Sequence, residues 1–346
     1  MKFADSIQVE NRRIGLDEPV FLIAEIGYNF NTLDEARRSV VAAAEAGADA
    51  VKFQTFHADT VTTRKAHFPI EAGDTNQYDE FKRYELSEQW HRELFDLSRQ
   101  CGMVPFSTPA YYDDVDFLES IGQAIHKVGS DDATNLPFVE YVARLGKPLI
   151  VSTGMCTMAE SAELIETVRA AGNDKLIVLH CLSNYPVRDL SQVNLRAMTT
   201  LARSFGVLAG FSDHTEGVAA ATAAAALGAV VIEKHFTLDK SLDAPDAPFS
   251  ADPAEFRAIA EAVRQVETLL GDGLKRPADT ERDMIVHTRK SLIARRDIPA
   301  GKPLDADDII IKRPGLGIPP RNLPTVLGRP ARRDIPADEP VTWSDV

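Results

Sequence analysis

The chain has 346 residues, 44% of them hydrophobic and 26% charged, which is enough to bury one large core or two smaller ones. A net charge of −14 argues against a nucleic-acid or anionic-membrane surface, because a polyanionic partner has to be met by a basic face. The three cysteines, Cys101, Cys156 and Cys181, lie far apart in no CxxC pair, so a disulfide framework or a cysteine zinc site is not expected and they read as inert core residues.

The first stretch, MKFADSIQVENRR, has no apolar targeting segment, and no run reaches the roughly 18 apolar residues of a spanning helix, so a cytoplasmic protein is expected. From residue 20 a unit repeats: a short run rich in Val and Ile, a polar break, then an amphipathic stretch ending in Gly. The predicted strands are 21–27, 50–55, 102–108, 124–130, 148–153, 176–181, 207–213 and 229–237, with helices such as 32–47, 158–172 and 216–228 between them. This rhythm predicts a parallel (β/α)8 TIM barrel. An open doubly wound sheet is disfavoured because AEIGYNFNT, after the first strand, has no GxGxxG turn. The last barrel helix is read from 252–270, with Asp252 as N-cap and Pro253 at the first helical position.

Past GDGLKRPADT the rhythm changes. ARRDIPAGKPLDADDI (294–309) returns as ARRDIPADEPVTWSDV (331–346), which reads as a small two-fold-like β domain. The boundary is placed near 280, giving a barrel over 1–280 and a β-rich domain over 281–346.

A barrel of this kind carries its chemistry at the C-terminal ends of its strands. Those ends hold Glu25; Lys52 and Gln54; Ser107 and Thr108; Lys127 and Ser130; Ser152 and Thr153; His180 and Ser183; Ser212, Asp213 and His214; and Glu233, Lys234 and His235. Strand alternation puts Ser212 with His214 on one face and Glu233 with His235 on another, which lets both imidazoles reach one divalent ion. With no cysteine beside them, an open Mn2+- or Mg2+-like site fits better than structural zinc. Lys52 and Lys127 interrupt apolar runs, where an unpaired ammonium is expensive to desolvate. They either pair with Glu25 or Asp131 or, with Ser130, Ser152 and Ser212, cradle a small doubly anionic ligand. The connection 56–87 is long enough to be a lid or a structural insertion, and its Asn76, Gln77 and Tyr78 could close over a substrate.

Taken together, AEIGYNFN, AVKFQT, FSTP, HKVGSDDATNLP, LIVSTGM, LHCLSNYP, GFSDHT, IEKHFTLDK and KRPGLGIPP resemble, in this order, the sialic acid synthase family. Its members condense phosphoenolpyruvate with an amino sugar to make N-acetylneuraminate and related nonulosonic acids. The resemblance implies a barrel followed by an antifreeze-like (SAF) domain, an N-acylated hexosamine as acceptor, and a divalent metal, Mn2+ first, with Mg2+ or Co2+ as alternatives. Glu25 matches an acidic group near the reacting carbons; Lys52, Lys127, Ser130, Ser152 and Ser212 match positions that hold phosphoenolpyruvate, and Ser183 stands at a related one. His214 and His235 match the metal ligands, and Gln54, Thr108, Tyr185 and Asp246 match positions around the acceptor. Arg313 matches an arginine that the antifreeze-like domain inserts into the partner's barrel, which implies a domain-swapped homodimer.

The sequence departs from the family pattern twice. Asp132, grouped with Glu25 and Arg313 as a catalytic candidate, stands where many bacterial members have Glu, and Ala247 follows Asp246 where a histidine is frequent. APDAPFS (244–250) is also similar to pseudaminic and legionaminic acid synthases, so the acceptor stays open. The rivals are another phosphoenolpyruvate–aldose condensing enzyme, which should lack the tail; a metallohydrolase, which should show HxH on the first strand; and a carbohydrate-binding protein on a retained barrel.

Overall fold

An antiparallel hairpin, β1 (Ser6–Val9) and β2 (Arg12–Gly15), opens the computed structural model, which describes residues 1–70 and 73–346. Then come β3 (Phe21–Gly27), α1 (Leu33–Glu45) and β4 (Ala50–Thr55). The long connection that follows holds α2 (Ala58–Val61), an antiparallel pair β5 (His67–Ile70) and β6 (Gly73–Asn76), and α3 (Gln77–Tyr84). The regular alternation resumes with α4 (Glu88–Gln100), β7 (Val104–Pro109), α5 (Tyr112–Ser120), β8 (His126–Val128), α6 (Leu136–Arg144), β9 (Leu149–Ser152) and α7 (Met158–Ala170). It ends with β10 (Leu176–Cys181), α8 (Arg196–Phe205), β11 (Leu208–Asp213), α9 (Ala219–Ala226), β12 (Val231–His235) and α10 (Pro253–Leu270).

Strands β3, β4 and β7 to β12 form one parallel eight-stranded sheet in chain order, and β12 returns to pair with β3, setting His235 beside Glu25. Each of the eight runs read from the sequence holds one of these strands, to within two residues. The hairpin and the elements inside 56–87 have no counterpart in that reading. Asp252 caps α10 with Pro253 in its first turn. Among the described residues no helix is long and apolar enough to cross a membrane.

Along four of the barrel strands the inward positions start apolar and end polar: Phe21, Ile23, then Glu25; Ala50, then Lys52 and Gln54; Val104 and Phe106, then Thr108; Val231, then Glu233 and His235. The apolar starts pack against Ile7, Val9 and Ile14 of the hairpin, which plugs the N-terminal end of the barrel. The polar ends are thereby gathered at the opposite rim. Outward positions such as Leu22, Val51, Phe53 and Phe211 pack beneath the helices. The inward position 210 is held by glycine, since a Cβ there would lie 2.3 Å from Val231 O and 2.7 Å from Leu179 Cδ2.

No ladder joins β7 to β8, the two ends of the hydrogen-bonded order among the described residues. A side chain closes this seam instead. Buried Gln123 accepts from Ser107 N–H at 2.7 Å and donates to Ser107 O at 3.2 Å, while its amide also meets His126 Nδ1 at 3.2 Å. Replacing Gln123 with Leu strands a buried N–H and C=O of Ser107. It should cost on the order of 3 kcal/mol, seen as a lower urea midpoint at unchanged slope.

The chain divides into two compact units, Met1–Gly271 and Asp272–Val346. The second holds α11 (Arg282–Thr288), the antiparallel pair β13 (Ser291–Ala294) and β14 (Ile309–Lys312), and α12 (Leu323–Val326), around Leu292, Ile298, Ile309, Ile335 and Val341. Its internal repeat is a structural pseudo-symmetry. Ile298 and Ile335 exchange backbone hydrogen bonds at 2.9 Å, Asp334 accepts from Ala300 N–H at 2.7 Å, and Asp297 accepts from Ala337 N–H at 2.8 Å. Arg296 Nε donates to Asp308 at 2.8 Å, and Arg333 Nε to Asp345 at 2.7 Å.

Burial alone would raise the pKa of Asp308, but hydrogen bonds from Lys302, the Asp305 backbone and Arg296 outweigh it and hold the carboxyl at about 2. A depressed carboxyl contributes stability above its unfolded pKa of roughly 4 and loses it as pH falls toward 2. The thermal transition of the second unit should therefore fall between pH 4 and 2, and Asp308→Asn should flatten that fall.

Candidate active site

Glu25 lies on the inward face of β3, where the strand bulges and Gly27 takes a left-handed φ of +55°. A Cβ at Gly27 would stand 3.0 Å from Glu25 Oε1 and 3.2 Å from Gln54 Nε2, so the glycine leaves room for Gln54 to donate to Glu25 at 2.9 Å. Lys52 Nζ pairs with Glu25 Oε2 at 2.8 Å, lies 3.7 Å from Glu233 Oε1 and donates to Thr108 Oγ1 at 3.2 Å. Ser212 Oγ donates to Glu233 Oε1 at 3.1 Å, and Glu233 Oε2 is buried with no partner among the described residues.

Two buried carboxylates near two buried lysines do not titrate alike. Burial raises Glu25, the Lys52 charge opposes this and the Glu233 charge adds to it, leaving the carboxyl above its ordinary pKa. Burial would also raise Glu233, but Lys127, Lys52 and the two histidines outweigh it and bring it to about 2. The two carboxyls are thus pushed in opposite directions, Glu25 up by burial and Glu233 down by the charges around it. Burial alone would lower Lys52, yet the Glu233 and Glu25 charges hold it above its usual value.

Lys127 differs. It donates to Ser152 Oγ at 2.7 Å and to Val128 O at 3.2 Å but makes no ion pair among the described residues, and burial pulls its pKa down. Beside it, Ser130 Oγ accepts from Gly154 N–H at 3.0 Å. A Cβ at Gly154 would fall 2.2 Å from Ser183 Oγ, 2.8 Å from Ser130 Oγ and 3.2 Å from Cys181 Sγ. Hydroxyls and an ammonium with no ion pair among the described residues thus meet in one place, a donor set suited to a phosphate or carboxylate.

The imidazole rings of His214 and His235 lie 5.2 Å apart, with Tyr185 at 4.2 and 5.8 Å from them and Phe249 at 5.4 Å from His235. His214 Nδ1 donates to Leu182 O at 2.9 Å, and His235 Nδ1 faces Asp246 Oδ2 at 3.3 Å. The acceptor at His214 Nδ1 leaves its Nε2 lone pair for a ligand, and the carboxylate facing His235 Nδ1, though not in hydrogen-bond geometry, favours the same orientation of that ring, the arrangement of metal-binding histidines. Cys181 Sγ is 3.8 Å from His214 Nδ1, closer to this centre than a core residue needs to be. Among the described residues no three His, Cys, Asp or Glu side chains converge to hold a metal by themselves. Two imidazoles fit an ion whose remaining positions go to water or substrate.

The structure thus brings together Glu25, Lys52, Gln54, Thr108, Lys127, Ser130, Ser152, Ser183, Tyr185, Ser212, His214, His235 and Asp246. Tyr78 does not join them: its hydroxyl donates to Asp59 at 2.9 Å, and Arg64 lies over its ring at 4.1 Å. Asn76 and Gln77 likewise bind within the excursion, to Arg64 O and Thr62. Asp132 accepts from Asn135 at 3.1 Å in the turn after β8. Arg313 belongs to the second unit, where it is exposed with no partner among the described residues.

Five of the polar strand ends face outward. Ser107 meets Thr55 at 2.7 Å, Thr153 donates to Leu179 O, His180 meets Val193 O at 2.6 Å, and Asp213 pairs with Lys234 at 3.1 Å. The sequence reading left Glu233 without a role although it shares a face with His235, and it left out Asn29, which is fully buried just past Gly27.

Residues 39–275 match the NeuB family, and residues 289–346 match the SAF domain. The chain is 43% identical to N,N'-diacetyllegionaminic acid synthase of Legionella pneumophila, over 89% of each chain. It is 37% identical to pseudaminic acid synthase of Campylobacter jejuni, over 91% of this chain and 93% of that one. The crystal structure of N-acetylneuraminic acid synthetase from Leptospira borgpetersenii superposes with a TM-score of 0.73 at 30% identity, covering 82% of this chain and 96% of that one. With a family match across most of the barrel and relatives of this likeness along nearly its whole length, the chain belongs to the NeuB family and ends in a SAF domain.

Proposed function

We propose that the protein condenses phosphoenolpyruvate with an N-acylated hexosamine to give a nonulosonic acid and inorganic phosphate. The observation that carries this reading is Lys127, a buried ammonium with hydroxyls around it and no ion pair among the described residues, on the same barrel rim as the histidine pair. Burying an ammonium without an ion pair is costly, and an anionic ligand that meets it recovers that cost.

Lys127, Lys52 and the hydroxyls of Ser130, Ser152 and Ser212 hold the phosphate and carboxylate and set carbon 3 of phosphoenolpyruvate toward the acceptor. Gln54, Thr108, Tyr185 and Asp246 line the acceptor side. A divalent ion, Mn2+ first, held by His214 and His235 would supply Lewis-acid polarisation of the acceptor aldehyde. As carbon 3 bonds to the aldehyde carbon, the aldehyde oxygen takes the proton of Glu25, whose raised pKa suits it to carry one, and carbon 2 becomes electron-poor. Water adds to carbon 2 and returns a proton to Glu25. The carbon–oxygen bond to phosphate then breaks as the carbon 2 hydroxyl passes its proton to the departing phosphate, leaving the keto acid.

The names of the relatives favour a diacetamido hexose, the acceptor class of legionaminic and pseudaminic acids. Phosphate release should be screened with phosphoenolpyruvate against N-acetylmannosamine, its 6-phosphate and such diacetamido hexoses; no release with any of them refutes the condensation. Arg313, exposed and without a partner among the described residues, is free to act in trans, in a domain-swapped homodimer with the antifreeze-like unit of one copy serving the barrel of the other. Arg313→Ala should then raise the acceptor KM about tenfold or more, leave the phosphoenolpyruvate KM near wild type and keep the thermal transition unchanged.

A further inference from the structure

Asn29 is fully buried two residues past Gly27, and its amide joins two distant segments. Nδ2 donates to Phe236 O at 3.0 Å and to Ser250 Oγ at 2.9 Å. Phe236 O can only accept, so the amide nitrogen must point this way. Ser250 Oγ passes the connection on by donating to Asp246 O at 2.7 Å, and Asp246 Oδ2 stands 3.3 Å from His235 Nδ1. Asn29 Oδ1 is buried with no partner among the described residues, a cost that a residue kept only for packing would not carry.

Each end of this relay lies beside a group of the site. Phe236 follows His235 directly, and Ser250 holds the backbone of Asp246. Backbone bonds from Phe236 N–H to Glu25 O at 2.7 Å and from Ala251 N–H to His235 O at 2.8 Å tie the same segments without Asn29. The strand ends are therefore paired already, and Ser250 N–H itself bonds to Asp246 O at 3.1 Å; what the amide adds is to anchor the Ser250 side chain, and with it the Asp246 loop, to the end of the His235 strand. We propose that Asn29, acting through Ser250, is a positioning residue that sets Asp246 against His235 and thereby fixes the imidazole for its ligand. The metal part rests on the proposed function; the placement of His235 does not.

The test uses full-length protein as wild type, Asn29→Asp, Ser250→Ala and the double variant. In Asn29→Asp an oxygen replaces the donor facing Phe236 O, so the relay breaks at constant size. Two readouts are taken: the imidazole nitrogen NMR signals of His235 in metal-free protein at fixed pH, and Mn2+ affinity by electron paramagnetic resonance. Each single variant should shift the His235 signals and weaken Mn2+ binding by about 10- to 100-fold. The double should be no worse than the stronger single, as for two links of one chain. Wild-type signals and affinity in the variants, with only a lower melting temperature, would overturn the proposal, as would additive losses in the double. If wild type binds no Mn2+, the metal reading fails, and the imidazole signals still decide the role of Asn29. If Asn29→Asp does not fold, Ser250→Ala decides it alone.

Discussion

His235→Ala is expected to lower phosphate release by a factor on the order of 10³, the several kcal/mol that Lewis-acid polarisation supplies to such a step. Added Mn2+ should not restore it, because one imidazole cannot replace the pair. The ring packs on Tyr185 and Phe249 and lies 3.3 Å from Asp246, so its loss also opens a small cavity and frees a carboxylate. Stability should fall by about 1 to 2 kcal/mol, too little to unfold the barrel. A thermal melt beside a phosphate assay separates the two effects. Wild-type turnover that persists unchanged in chelated, metal-free buffer would contradict the assignment of His214 and His235.

The second large effect concerns the lysines, which should respond unequally. Lys127→Met relieves a desolvated ammonium that makes no ion pair among the described residues but also takes away a charge that helps keep Glu233 ionised, so its stability cost should be small and below that of Lys52→Met. The phosphoenolpyruvate KM should meanwhile increase about 100-fold or more, since a desolvated charge pair is worth several kcal/mol. Glu233 loses one of its compensating charges in this variant but keeps Lys52 at 3.7 Å. Lys52→Met has no such reserve: it strands Glu25, paired at 2.8 Å, and leaves Glu233 with less compensation, so it should destabilise the fold by about 3 to 5 kcal/mol besides losing activity. Equal stability losses in the two variants would show that the two ammonium groups are not differently compensated.

This contrast was only half visible in the sequence. Both lysines interrupt apolar runs, and an ion pair with Glu25 and an anion cradle were both open readings for them. The structure divides the readings, giving Lys52 the carboxylate and Lys127 the hydroxyls, because Glu25 stands in register with Lys52 across β3 and β4. The excursion shows the opposite outcome. Asn76, Gln77 and Tyr78 have the composition of a substrate lid, yet their partners are Arg64, Thr62 and Asp59 of the same segment.

The sequence alone determined the strand positions, the barrel's rhythm, the polar rim and the pseudo-symmetric tail, since all of these follow from local periodicity and repetition. Which strand-end groups face inward was decided by tertiary structure. A parallel barrel strand is apolar on both faces, so its alternation does not tell His180, turned out toward Val193 O, from His214, which joins the site. The side-chain closure of the seam by Gln123 and the bridge from Asn29 to Phe236 and Ser250 were likewise settled only in three dimensions. Asn29 and its two partners are separated by 207 and 221 residues, and contacts at that range follow from how the barrel closes rather than from any neighbouring residue.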